Sequence, residues 1–97
     1  MTLIVNEKQG PHGLLLVVTD KDILGKVFEE GKLQLDLRKE FYNGEEKNKE
    51  QIKIMCSGAR DVHLTGKEVV ALGVEWGLVD AERILWVKGV PHAEVAI

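Results

Sequence analysis

The chain closes on Gly89-Val90-Pro91-His92, after which Ala93, Val95 and Ile97 alternate with Glu94 and Ala96. No other stretch restricts the fold as tightly. Pro91 fixes its own φ and drives Val90 towards an extended conformation. Gly89 accepts a positive φ without steric penalty. A stiff bend therefore feeds a final strand, and His92 stands on that bend beside the last strand of a sheet.

Other strands are legible upstream. Residues 2–5 and 14–18 read as two strands of a hairpin. The turn signal Gly10-Pro11-His12-Gly13 closes a long loop that begins at Asn6. From Lys32 to Arg38, Leu33, Leu35 and Leu37 alternate with Gln34, Asp36 and Arg38, which gives one core side and one solvent side. Ile84 to Val87 supplies a strand just before the terminal bend.

Three helices are expected between these strands. The first, capped by Thr19 or Asp20, groups Ile23, Leu24, Val27 and Phe28 on one face and stops at Gly31. In the second, Asn48 and Gln51 have the spacing of a capping box, and Ile52, Met55, Cys56 and Ala59 form an apolar stripe that excludes Ile54. Asp61 to Leu64 reads as a short connection. The third runs from a Thr65 cap, with Glu68 three residues on, to Trp76 and a stop at Gly77. Its wide apolar surface makes it the most buried helix. Gly73 within it implies close approach of a neighbouring backbone, since a mid-helix glycine costs about 1 kcal/mol relative to alanine.

The resulting order predicts an α+β fold, a mainly antiparallel or mixed sheet of about five strands with three helices packed on one face. Ninety-seven residues accommodate one domain, 1–97. With 44% apolar residues a core forms without staples, and with two Trp, one Tyr and two Phe it must be built of Leu, Val and Ile. The single cysteine, Cys56, excludes an internal disulfide, and no Cys/His zinc spacing is present. Neither a metal nor a cofactor is expected. Residues 1–8 lack the pattern of a signal peptide, and the apolar run Leu14–Val18 is too short for a membrane span, so a cytoplasmic protein is expected. A net charge of −3 argues against coating nucleic acid through bulk charge but leaves room for a local basic patch.

Several segments resemble domain-of-unknown-function family 424, small single-domain proteins of archaea. They are Leu24-Gly25-Lys26 with Phe28, Glu30-Gly31 with the leucine strand, Phe41-Tyr42-Asn43-Gly44-Glu45, Leu64-Thr65-Gly66, Gly77-Leu78-Val79-Asp80, and Gly89-Val90-Pro91-His92-Ala93-Glu94-Val95. They run in order from residue 23 to 95. The family pattern favours Asn where this chain has His63. The resemblance implies a small archaeal intracellular domain and carries no mechanism.

Candidate site residues fall in the turns. His92 titrates near neutral pH and can act as base, ligand or donor; the structural alternative is a carbonyl cap or a stack on Trp86. His12, His63 and His92 fit no known ligand spacing. Gly25-Lys26 offers a gap beside a cation suited to phosphate or carboxylate, or else simple packing freedom. Tyr42, Asn43, Gly44 and Glu45 share an exposed loop, where Asn-Gly forms a turn and the glutamates complement a helix start. Gly66, Gly89 and Pro91 complete the set of rigid turns. Lys49, Lys53 and Arg60 form the best basic edge, along the second helix, against the alternative of a solvated face. Ser57 is the sole serine, without a nucleophile elbow, and no catalytic residue is assigned.

Two functions fit this inventory. The favoured one is a small binding or adaptor module for a protein or ribonucleoprotein partner, with a translation-related RNA role suggested by the archaeal single-domain resemblance. The alternative is a small enzyme whose pocket combines His92, Lys26 and Glu45 or Glu46. The sequence does not define the oligomeric state.

Overall fold

A computed structural model describes residues 3–97. The first predicted strand began at Thr2, which lies outside the described residues. Strands β1 (Leu3–Gly10) and β2 (Gly13–Asp20) form a long antiparallel hairpin, with Gly10 opposite Gly13 and only Pro11-His12 at the tip. The expected long loop from Asn6 is therefore mostly strand. Asn6, Glu7, Lys8 and Gln9 are polar, yet they continue the ladder opposite Val17 to Leu14. The backbone ladder continues regardless of side-chain polarity, so polar composition hid the strand.

The segment expected as a connection is the largest departure in the sheet. Asp61–Thr65 forms β6, which runs parallel to β2 and antiparallel to β8 (Val90–Ala96). Its Val62 and Leu64 are fully buried. Two short edge strands complete the sheet: β5 (Glu45–Lys47) beside β1 and β7 (Leu85–Val87) beside β8. The order is β5-β1-β2-β6-β8-β7, a mixed sheet of six strands.

Among the described residues there are two α-helices rather than three, α1 (Lys49–Ser57) and α2 (Lys67–Glu75). The capping box of α1 forms as expected: Gln51 N–H donates to Asn48 Oδ1 at 2.8 Å and Asn48 N–H donates to Gln51 Oε1 at 3.0 Å. Ile52 and Cys56 turn into the core, while Ile54 stays exposed. Thr65 is not the cap of α2. Gly66 occupies that position, and the cap comes from Asp20 at the end of β2, whose two carboxylate oxygens accept from Glu68 N–H and Val69 N–H, both at 2.9 Å. Burial pushes the Asp20 carboxyl up, and those two backbone bonds offset only part of that rise. At Gly73 side chains, not a backbone, make the close approach: a Cβ there would lie 2.6 Å from Leu64 Cδ1 and 2.7 Å from Val79 Cγ2.

The predicted first helix is replaced by a single 3-10 turn, Lys21–Ile23, and by β3 (Val27–Glu30), which pairs with β4 (Leu33–Asp36) in a separate two-stranded sheet. Backbone bonds explain the change. Gly25 N–H donates to Leu37 C=O and Leu37 N–H donates to Lys26 C=O, both at 2.9 Å, so beyond one tight turn the segment is tied to the chain after β4. Ile23 and Phe28 pack on Leu35, Val87 and Val90. That tertiary contact outweighs weak helix propensity.

Register assigns the two faces of the main sheet, because paired residues point the same way. One face carries Leu3, Val5, Leu16, Val18, Val62, Leu64 and Ala93, packed on Ile52, Cys56, Val69 and Val70 of both helices. The other carries Asn6, Val17, Thr19, His63, Thr65, His92 and Glu94. It is shielded by the β3–β4 hairpin and by the 3-10 turn Glu40–Tyr42, which Asn6 holds by donating from Nδ2 to the Phe41 carbonyl at 3.0 Å.

Candidate functional site

On the face away from the helices, β6 and β8 bring three ligand-type side chains together. His63 is directly opposite Glu94 in the antiparallel register, and His92 lies two residues before Glu94 on the same side of β8. His63 Nε2 is 3.3 Å from Glu94 Oε1, and His92 Nε2 is 3.3 Å from Glu94 Oε2. The other ring nitrogen of His92, Nδ1, is 2.7 Å from the Thr65 hydroxyl. Burial pushes the His92 imidazole down, partly offset by the hydrogen bond and charge of Glu94. Neutral His92 is therefore the favoured form, held at both nitrogens.

Aromatic rings extend this cluster. His63 meets the edge of Phe41 at 5.5 Å between centroids, Phe41 meets Tyr42 at 5.1 Å, and the Lys8 ammonium sits 5.4 Å from the Phe41 ring. Burial, and behind it the charges of Glu94 and Asp36, push the Tyr42 phenol up. His92 does not stack on Trp86, because Trp86 is opposite Pro91 and points to the other face.

A second feature lies nearby. A cleft of about 260 Å³ is lined by Lys26, Lys67 and Lys88 together with Gly66, Gly89 and Asp22. Three of the predicted turns thus converge, since Gly66 N–H also donates to Pro91 C=O at 2.9 Å. Lys88 and Gly89 form the two-residue loop between Val87 and Val90, with φ of 51° and 78°. Asn-Gly is the preferred pair for such a turn. Lys88 is the one non-glycine residue with positive φ among the described residues. None of the three lysines forms an ion pair within 4.0 Å among the described residues.

The remaining candidates are dispersed. Asn43 accepts from Gly44 N–H, Gly44 lies against the Val5 backbone, and Glu45 pairs with Lys47 on the edge strand β5. Glu45 faces the helices, whereas His92 faces away. With four strand spacings between β5 and β8, the two are on the order of 19 Å apart. His12 is exposed at the hairpin tip, five residues beyond the Val17 that pairs with His63, or roughly 17 Å along the strand. Lys49, Lys53 and Arg60 are exposed and free of ion pairs among the described residues. Cys56 is buried, and burial pushes its thiol up, which makes it unreactive.

Glu94 was not among the expected site residues. One signal for it was available: His92 and Glu94 are two apart in an alternating strand and must share a face. The part played by His63 was not readable without knowing that β6 is a strand beside β8.

Fold and site together define a small α+β domain that is layered around one mixed sheet, with helices on one side and polar chemistry on the other. The chain belongs to the family described as "Protein of unknown function (DUF424)", whose profile matches residues 7–97. No curated protein matches it. Among solved structures, an uncharacterized conserved protein from Methanopyrus kandleri, an archaeon, is similar in fold. The TM-score is 0.77 at 22% sequence identity, and the match covers 100% of this chain and 92% of that one. No helix among the described residues is long and apolar enough to cross a membrane.

Proposed function

We propose that this chain is a binding module for the RNA of a ribonucleoprotein partner, and that it holds phosphate through the cleft of Lys26, Lys67 and Lys88. The observation that carries this reading is the placement of Lys88. A left-handed conformation costs an ordinary residue roughly 1–2 kcal/mol, and Asn would occupy the position at less strain. Lysine at a strained turn, beside two further unpaired lysines, is a feature expected of a binding site and not of a stability device. The Lys88 N–H is held by Glu30 Oε1 at 2.7 Å, so the turn is fixed before any ligand arrives. Asp20 does not oppose an anion strongly, because its carboxylate is turned to the backbone of α2. The enzyme alternative has less support, because Glu45 and Glu46 both lie on β5, four strand spacings from His92, and Glu46 is paired with Lys21.

The test is fluorescence anisotropy of a short labelled single-stranded RNA with the full chain, at several salt concentrations. Three phosphate contacts imply a log–log salt slope of about −2, from roughly 0.7 per contact on a single strand. Changing Lys26, Lys67 and Lys88 together to Gln should weaken binding at least tenfold and flatten the slope. The equivalent change at Lys49, Lys53 and Arg60 should have a smaller effect. Lys88→Asn alone should raise stability by about 1 kcal/mol while weakening RNA binding. Equal RNA affinity in the triple lysine variant and the native chain overturns the reading, as does affinity for a protein partner that survives ribonuclease.

A further inference from the structure

His63, His92 and Glu94 are more than a hydrogen-bonded trio. Their potential ligand atoms, one from each residue, all lie within 4.8 Å of one another. Four donors placed tetrahedrally at about 2.0–2.1 Å around zinc sit roughly 3.3–3.4 Å from each other. Each Nε2 lies at that spacing from one oxygen of the Glu94 carboxylate, His63 from Oε1 and His92 from Oε2, both at 3.3 Å, so the carboxylate sits between the two rings. We infer that these three side chains form a binding site for one divalent first-row transition metal ion of the zinc type, with Nε2 of each histidine and the Glu94 carboxylate as ligands.

The surroundings suit that role. His92 is 8% exposed, whereas the side chains of His63 and Glu94 are 23% and 62% exposed. The site is anchored at its inner end and open at its outer one, which leaves a fourth position for water or a ligand from a partner. Two imidazoles and one carboxylate are a donor set found in zinc and other first-row metal centres. Both strands are held in register by their own ladder, so the ligands are placed by backbone before an ion is present.

The hydrogen bonds behind the ligands complete the picture. With Nε2 on a metal, the His92 ring proton lies on Nδ1 and donates to the Thr65 hydroxyl at 2.7 Å. The Thr65 hydroxyl then needs an acceptor of its own. Directly across the ladder on β2 stands Thr19, fully buried, whose Oγ1 has no hydrogen-bond partner. Thr19, Thr65 and His92 thus stand in one row across three strands behind the proposed ion, with Thr65 bonded to His92.

Isothermal titration of the full chain with zinc chloride tests the site, with the same variants read by cobalt(II) visible absorption. One ion per chain should bind. His63→Ala and Glu94→Gln change the two ligands that reach solvent, His63 in part and Glu94 mostly, so the fold should persist, as circular dichroism will verify. Each should weaken zinc binding at least tenfold and abolish the cobalt spectrum of a four-coordinate site. Thr65→Val, which removes only the orienting hydroxyl, should weaken binding by about tenfold. His12→Ala should change nothing. RNA affinity should be unaffected in all four, which separates this site from the lysine cleft. Zinc binding equal in the native chain and in a folded His63→Ala, Glu94→Gln double variant overturns the inference.

Discussion

The two faces of the main sheet bury their residues by different means. The helix side is apolar from Leu3 to Ala93 and is closed by Ile52, Cys56, Val69 and Val70. The opposite side buries Thr19, Thr65 and His92 beside Ile4 and Val17, and its cover is a hairpin joined to the sheet through the small group Leu35, Val87 and Val90 with Ile23 and Phe28. Buried apolar area stabilises in proportion to its extent, whereas a buried polar group contributes only when its partner is present. Stability therefore resides mainly with the helices, and the chemistry resides under the hairpin. A domain of this size can hold polar groups on one face because the other supplies most of the folding free energy.

The sharpest way to break this comparison is to cut the same group from each face. Leu64→Ala, on the helix side, should lower stability by about 3–4 kcal/mol, since Leu64 is fully buried in the larger cluster. Leu35→Ala, under the hairpin, should fall at the lower limit of such changes, about 2 kcal/mol. Urea denaturation measures both. Equal losses would mean that the hairpin is as much a part of the core as the helices are.

A finer test stays on the polar side and compares two threonines paired across the ladder. Thr65→Val leaves Nδ1 of His92 buried without its partner and should destabilise by about 1–2 kcal/mol. Thr19→Val removes a hydroxyl that has no partner and should be neutral or stabilising by up to about 1 kcal/mol. The shapes are nearly the same, so the difference in thermal midpoint isolates the hydrogen bond. Similar losses at both positions would show that the two hydroxyls are used alike.

The same contrast explains what the sequence revealed. The helix side was legible because its pattern is local: Asn48 with Gln51 and the stripe of Ile52, Cys56 and Ala59 needed no distant partner. The α+β class and the terminal strand were legible for the same reason. The hairpin side was not, because its structure depends on what packs against it. Ile23 and Phe28 have helical spacing, yet Leu37 captures the backbone between them and the segment extends. Thr65 has a cap's spacing, yet Asp20 reaches the helix first and Thr65 turns to His92. His63 was in a segment read as a loop. Its meaning depends on β6 lying between β2 and β8, a parallel pairing that no nearby residue signals.

The smallest expected effect concerns the cover itself. Asp36, at the end of β4, accepts from Arg38 through Nε and Nη2, both at 2.9 Å, and its carboxyl is pulled down from 3.8 to about 2, chiefly by that side-chain bond. A carboxyl whose folded pKa lies below its unfolded value adds stability above the unfolded value and loses it as the pH falls through the folded one. The Asp36 contribution should thus be complete well above pH 3.8 and be lost as the pH falls through about 2. Its partner Arg38 is 65% exposed, so solvent screening keeps the effect small. In matched denaturation curves, Asp36→Asn should be slightly less stable than the native chain at pH 7, and the gap should narrow below pH 3.8 and close as the pH falls through about 2. If the gap at pH 7 instead rivals that of Leu64→Ala, a surface ion pair would be holding the hairpin as firmly as the core holds the helices, and the division between the two faces would fail.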